Sequence, residues 1–305
     1  MNILLTGAAG QLGSELLPVL SAYGSVTATD RFKPGSMLPN WLELDVCDGT
    51  KLETHLNHLQ PGLIVNTAAY TAVDQAEADP QTAFNVNAEL PARLAAWAKS
   101  NDALLIHYST DYVFDGKADR PYRETDLPNP KSVYGDSKLE GERALQKTAC
   151  KHTILRTSWV YSSHGKNFVF SMLELARKGV SLKVVDDQIG CPTWARNLAL
   201  ASGAVIKAWQ AEGPEICSGI FNYCDGRSLS WYDFAREIFD FAVTAGLLDS
   251  LPSLTPVPST EFPQPAERPK WSVLDTSRIT EVFDIHPAEF ERSIKTVMDE
   301  IRKRA

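Results

Sequence analysis

Tyr134 and Lys138 stand four residues apart in "SVYGDSKLEGE", a spacing that brings a phenol and an amine to one face of a helix. A phenol ordinarily ionises near pH ~10, and a neighbouring ammonium favours the ionised form, so such a pair can exchange a proton nearer neutrality. The same spacing also occurs on solvated surface helices, and the pair acquires meaning only from its company. At the amino terminus, "TGAAGQLG" follows an apolar run immediately and repeats glycine as Gly7, Gly10 and Gly13. Glycines allow a sharp turn and close approach of backbone to a pyrophosphate, which then lies on the free amides of a helix start; Gln11 and Leu12 fall in that turn. Asp30 closes the second apolar run, where an acid bonds ribose hydroxyls, whereas Arg31 beside it could take a 2′-phosphate. NADH and NADPH both stay open. Finally, "HYSTDYVFDG" ends a later run with the hydroxyls of Ser109 and Thr110, ahead of Tyr134.

These groups need elements to position them. "NILLT" (2–6), "SVTATD" (25–30), "WLELD" (41–45), "GLIVNTA" (62–68), "ALLIHYS" (103–109) and "HTILRT" (152–157) have the length and composition of buried strands. Amphipathic segments at 11–23, 49–60 and 80–100 read as helices between them, with Pro18 and Pro91 as weak points. The alternation predicts an α/β fold, a Rossmann-type doubly wound parallel sheet covered on both faces. Beyond residue 157 the pattern loosens: helices are expected at 167–179 and 230–246, and strands at 182–185 and 219–224. Residues 1–157 are therefore assigned to a dinucleotide-binding domain, to which about 182–224 returns. A smaller C-terminal lobe takes mainly 158–181 and 225–305 and closes a cleft over the carboxyl ends of the strands. The proline-rich stretch 251–269 is expected to wrap a surface.

The chain has 305 residues, 44% hydrophobic and 22% charged, with a net charge of −8 and no long basic run. That balance disfavours a general nucleic-acid surface, which must neutralise phosphates. Neither a signal-peptide pattern nor an apolar stretch long enough to span a bilayer is evident, so a soluble cytoplasmic protein is expected. Cys47, Cys150, Cys191, Cys217 and Cys224 are scattered, without ligand or disulfide spacing. The six histidines are equally scattered, and no chemistry is assigned to them.

Taken in order, "GAAGQLGSEL", "NTAAYTAVDQAE", "NVNA", "STDYVFDG", "PYRETDLPNPKSVYGDSKLEGE", "RTSWVYS" and "DQIGCPT" resemble the dTDP-4-dehydrorhamnose reductase family, of the extended short-chain dehydrogenase/reductase superfamily, over nearly the whole chain. The resemblance implies reduction of the C4 carbonyl of dTDP-4-dehydro-L-rhamnose by NADPH or NADH. It implies Tyr134 as proton donor, Lys138 as the charge that tunes it, and Thr110 as a group that hydrogen-bonds the substrate oxygen or orients Tyr134. Asp45 and Val46 would lie near the adenine, Ala68, Ala69 and Tyr70 along the middle of the cofactor, and Tyr108 beside it. Thr71, Val73, Asp111 and Trp159 would line the sugar site, and Arg268 in "AERPKWSVLD" would suit phosphate.

Some members of that family dimerise around magnesium held by clustered acids, one of which corresponds to Glu15. Where another acid is expected after "CPT", this chain has Arg196, so magnesium and a magnesium-bridged dimer are not expected; a monomer or a metal-independent dimer is. Two other readings remain. One is a related nucleotide-sugar epimerase or dehydratase, although Thr110 is followed by Asp111 and Tyr112 where dehydratases carry an acid pair. The other is a non-catalytic regulatory subunit of methionine adenosyltransferase built on the same fold.

Overall fold

In the computed structural model, which describes residues 1–32 and 40–304, β1 (Asn2–Thr6) sends Ile3 and Leu5 into one apolar layer and Leu4 into another. Side chains alternate between the faces of a strand, so a strand apolar at consecutive positions must be covered on both sides. The covering helices follow in sequence. After β1 comes α1 (Gln11–Ser21), then β2 (Ser25–Asp30), β3 (Trp41–Glu43), α2 (Gly49–Leu59), β4 (Leu63–Asn66), α3 (Val73–Ala78) and α4 (Pro80–Phe84). α5 (Leu90–Ser100), β5 (Leu104–Thr110), α6 (Val133–Thr148) and β6 (Lys151–Thr157) complete the regular half.

The single helix expected over 80–100 is instead α4, a π-helical turn at Asn85–Glu89, and α5. Pro91 has no N–H to give to the turn before it, and the widened turn carries the chain past it. The turn also directs Asn87 inward. Its side chain accepts from the Tyr70 N–H at 2.9 Å and donates to the Tyr70 carbonyl and the Ser137 hydroxyl, both at 3.0 Å. Pro18, by contrast, lies within an unbroken α1, on its exposed face.

The second half contains β7 (Val160–Tyr161), α7 (Phe168–Arg177), β8 (Leu182–Val185), β9 (Ile189–Gly190), β10 (Thr193–Trp194), α8 (Ala195–Glu212), α9 (Pro214–Cys217) and β11 (Gly219–Asn222). It ends with β12 (Leu229–Ser230), α10 (Trp231–Thr244), β13 (Leu254–Val257), α11 (Ser277–Phe283) and α12 (Phe290–Arg304). Among the described residues, seven parallel strands form the main sheet in the order β11-β6-β5-β4-β1-β2-β3. The order reverses between β1 and β4, which opens a crevice at their carboxyl ends.

Of the stretch 182–224, α8 and β11 lie with this sheet, and Leu198, Val205 and Phe221 pack with Leu16 and Leu20. β8 does not join them. It pairs with β13, and Leu182 and Val184 belong to a second core with Phe234, Ile238, Phe290 and Ile294. α11, late in the chain, returns Ile279 to the first core. The proline-rich stretch thus contributes an edge strand in which Pro256 is tolerated because β13 has a single neighbour. No helix among the described residues is long and apolar enough to cross a membrane.

Candidate active site

The crevice at the strand reversal is a cavity of about 440 Å³ whose lining includes Gly7, Gly10, Asp30, Arg31, Asp45, Val46, Ala68, Ala69 and Tyr70. Gly7 adopts φ +66°, and a Cβ there would stand 2.6 Å from the Ala68 backbone nitrogen, so only glycine lets the β1–α1 turn approach the loop after β4 so closely. α1 begins at Gly10 with no side chain capping its first-turn amides. The Asp30 carboxylate accepts from Ala9 N–H at 3.1 Å and Arg31 N–H at 2.7 Å, which fixes it at the cavity wall. Glycine-lined space, free helix amides and a fixed carboxylate are the donor and acceptor set that a dinucleotide requires. Two predicted contacts lie differently. The Gln11 side chain accepts from Asn167 at 2.9 Å and Leu12 packs into the core, leaving the backbone of that turn as what they offer, together with Gly13.

Tyr134 and Lys138 do share a face of α6. The Ser132 hydroxyl caps the helix by accepting from Gly135 N–H at 3.1 Å, and Glu77 accepts from Val133 N–H at 2.8 Å. Gly135 presses against the Tyr112 carbonyl with no room for a side chain, so the helix start sits directly on the turn that follows Thr110. There the Tyr134 and Tyr112 rings meet edge to face, centroids 5.6 Å apart. Burial pushes the Tyr134 phenol up to about 12; the nearby Thr110 hydroxyl favours the ionised form, and the Asp111 charge raises it further. The Lys138 ammonium donates to the Tyr108 carbonyl at 2.6 Å, and burial pulls it down to about 8. Tyr108 offers that carbonyl only: its phenol is bonded to Ser202, 2.7 Å away.

At the sheet edge, Thr110 donates to Asp111 Oδ1 at 3.0 Å and accepts from Tyr112 N–H at 3.2 Å. Asp111 Oδ2, Ser109 Oγ and Thr157 Oγ1 are buried without partners. Thr157 pairs with Thr110 across the strands, so its hydroxyl and Asp111 Oδ2 are unpaired polar groups at the carboxyl end of β5 that a polyhydroxylated ligand would satisfy. Burial raises the Asp111 carboxyl to about 6. Between the unfolded value of about 4 and that folded value, the folded protein binds more protons than the unfolded chain, so stability falls as pH rises through the window, by about 3 kcal/mol for two pH units. Asp111→Asn is expected to stabilise the protein by up to that amount at pH 7 and very little at pH 4, in urea titrations at both. An equal gain at both values would remove the carboxylate charge as the cause.

Trp159 holds φ +46°, a rare conformation for a bulky residue, and stacks on Trp231 with centroids 3.5 Å apart. Arg268 forks onto Asp74 at 3.0 and 2.7 Å, beside Val73, while Thr71 is exposed on the same loop. Asp74 was not anticipated. It holds the chain's late Arg268 against the start of α3, and the arginine keeps its carboxyl below the usual range.

Also unanticipated is a buried polar row, Thr6, Asn66 and His107, that ends at Lys138. Its members lay in quoted motifs, but a lone histidine in an apolar strand does not declare a partner. At the junction of the lobes, Arg196 donates to Glu15 at 2.7 and 3.2 Å and to Glu300 at 2.6 Å. A cationic side chain therefore occupies the carboxylate of α1. Among the described residues, no group of three or more His, Cys, Asp and Glu is placed to hold a metal ion.

The model of the family described as RmlD substrate binding domain matches residues 1–303. A dTDP-4-dehydrorhamnose reductase of Salmonella typhimurium is 39% identical over 301 residues, covering 99% of this chain and 98% of the relative. The structure of a dTDP-4-dehydrorhamnose reductase from Clostridium acetobutylicum superposes with a TM-score of 0.86 at 38% identity, over 98% of this chain and 99% of that one. Another, from Bacillus anthracis in complex with NADP, gives 0.83 at 29% identity over 100% and 99%. With the Tyr134–Lys138 face and the strand-end Thr110 at the same carboxyl edge of the sheet as the glycine turn, and with these matches running end to end, the chain belongs to the dTDP-4-dehydrorhamnose reductase family.

Proposed function

We propose that this protein is an NAD(P)H-dependent oxidoreductase that reduces the C4 carbonyl of dTDP-4-dehydro-L-rhamnose to give dTDP-L-rhamnose. The observation that carries the reading is the placement of Tyr134 at the start of α6, seated on the turn after Thr110 at the same carboxyl edge of the parallel sheet as the glycine-lined cavity. A reduced nicotinamide, when bound, supplies a hydride. The first turn of α1 binds its pyrophosphate, and Asp30 and Arg31 recognise the adenosine ribose. Tyr134 gives its phenolic proton to the oxygen that becomes an alkoxide, Thr110 holds that oxygen, and Lys138 places positive charge behind both. Asp111 Oδ2 accepts from a sugar hydroxyl, Trp159 offers an apolar face to the ring, and Arg268 with Asp74 borders the path to the nucleotide.

Arg196 on Glu15 supports a protein that works without magnesium, as a monomer or metal-independent dimer. Five free cysteines fit a reducing compartment such as the cytoplasm. The test is to incubate the protein with dTDP-4-dehydrorhamnose and NADPH or NADH and follow the reduced-nicotinamide absorbance. One cofactor oxidised per sugar is expected. Sugar turnover without net oxidation would favour an epimerase. Failure to turn over any keto-sugar, with co-purification of a methionine adenosyltransferase, would favour the regulatory reading.

A further inference from the structure

Thr6, Asn66 and His107 are direct neighbours across β1, β4 and β5, since the register pairs Thr6 with Asn66 and Asn66 with His107. Two residues earlier on the same face, Leu4, Ile64 and Leu105 form an apolar row, so the polar row stands alone at the carboxyl edge beneath α6. The Thr6 hydroxyl donates to Asn66 Oδ1 at 2.6 Å, which leaves Asn66 Nδ2 to donate to His107 Nδ1 at 3.0 Å. A neutral imidazole carries one N–H, and with Nδ1 accepting, that proton is on Nε2, which lies 3.5 Å from Lys138 Nζ. An ammonium has only donors, so the imidazole N–H faces a group that cannot accept until it has lost a proton. None of the four side chains is more than 3% exposed, and in such surroundings a mismatched polar contact is costly.

We propose that Thr6 and Asn66 lock His107 in the Nε2–H tautomer, and that His107, so locked, is a positioning residue that makes Lys138 shed its proton readily. The surrounding charges are few. Glu142 on α6 favours the Lys138 charge and is itself paired with Arg156 of β6. His152 of β6 and Lys138 both disfavour a proton on His107, which burial holds well below its ordinary value. The kinetic consequence rests on the reductase reading; the tautomer does not.

Asn66→Asp presents only acceptors to Nδ1, so it demands the Nδ1–H tautomer and turns the Nε2 lone pair toward Lys138. In ¹⁵N spectra of histidine-labelled protein, His107 Nδ1 should be the unprotonated ring nitrogen in the parent and the protonated one in Asn66→Asp. In the pH profile of kcat, the alkaline limb should move up by at least one unit, about a tenfold change in proton affinity. Because the aspartate also adds charge, Thr6→Val is the uncharged companion. It releases the Asn66 amide to turn over and should show both tautomers, with the limb displaced in the same direction by less. The spectra need no substrate, so the expected tautomers in a protein that reduces no keto-sugar would leave this inference standing while the reductase reading fell. A protonated Nδ1 in the parent, a tautomer unchanged in both variants, or a limb that stays in place while kcat falls would overturn it.

Discussion

Tyr134→Phe is expected to lower kcat by roughly a thousandfold or more, within the range that a positioned general acid contributes, while the dissociation constant for NADPH stays within about twofold of the parent. The variant keeps the ring that meets Tyr112 edge to face and leaves the Ser132 cap and the Gly135 contact with the Tyr112 carbonyl untouched, so α6 should not move. What disappears is only the phenolic hydroxyl, beside Thr110. A phenol held at about 12 is a reluctant donor in isolation, and its partner must be a strong base; an alkoxide formed by hydride arrival is one. Single-turnover kinetics with saturating sugar and a fluorescence titration of NADPH separate chemistry from binding. A loss of less than tenfold in the chemical step would remove Tyr134 as the proton donor.

The largest effect on stability is expected from Glu142→Ala, a loss of about 3–5 kcal/mol in urea unfolding, the cost of breaking a buried ion pair and stranding its cation. Arg156 and Glu142 are each 1% exposed, and the fork is bidentate at 2.9 and 2.6 Å. Arg156 also lies over the Phe114 ring, 5.0 Å from its centroid, and has no outlet to solvent. The pair joins α6, two turns beyond Tyr134, to β6, so the same loss should loosen the catalytic helix and reduce kcat. Glu142→Met with Arg156→Met should recover most of the stability, because neither charge is then buried alone. A double variant as unstable as the single one would mean that packing around the pair, and not its charge, carries the effect.

The parts of the fold that local pattern determines were legible in the sequence. β1 through β6 follow short apolar runs, and the glycine turn, Thr110 and the Tyr134–Lys138 face are each contained in a few consecutive residues. α12 was legible too, though it carried no expectation: Phe290, Ile294, Val297, Met298 and Ile301 recur at helical spacing and are all buried. What pattern does not carry is pairing between distant residues. β8 alone reads the same whether it adds to the main sheet or pairs with β13, and Asp74 gives no sign that it meets Arg268. His107 looks like an interruption in an apolar strand until the register of three strands sets Asn66 beside it. Trp159, whose backbone is left-handed, stacks on Trp231, which is supplied by a helix far along the chain.

The Glu15–Arg196–Glu300 clamp bears on how the molecule is made. A growing chain produces Glu15 on α1, Arg196 much later on α8 and Glu300 later still on α12. Domains at the amino terminus ordinarily fold while the rest is still being synthesised. Here α1 carries a buried carboxylate, 6% exposed, whose neutralising arginine arrives late and is in turn steadied by Glu300 of α12. The nucleotide half can collapse early, but its Glu15 carboxylate gains its arginine only once α8 has been made, and the clamp is complete only with α12.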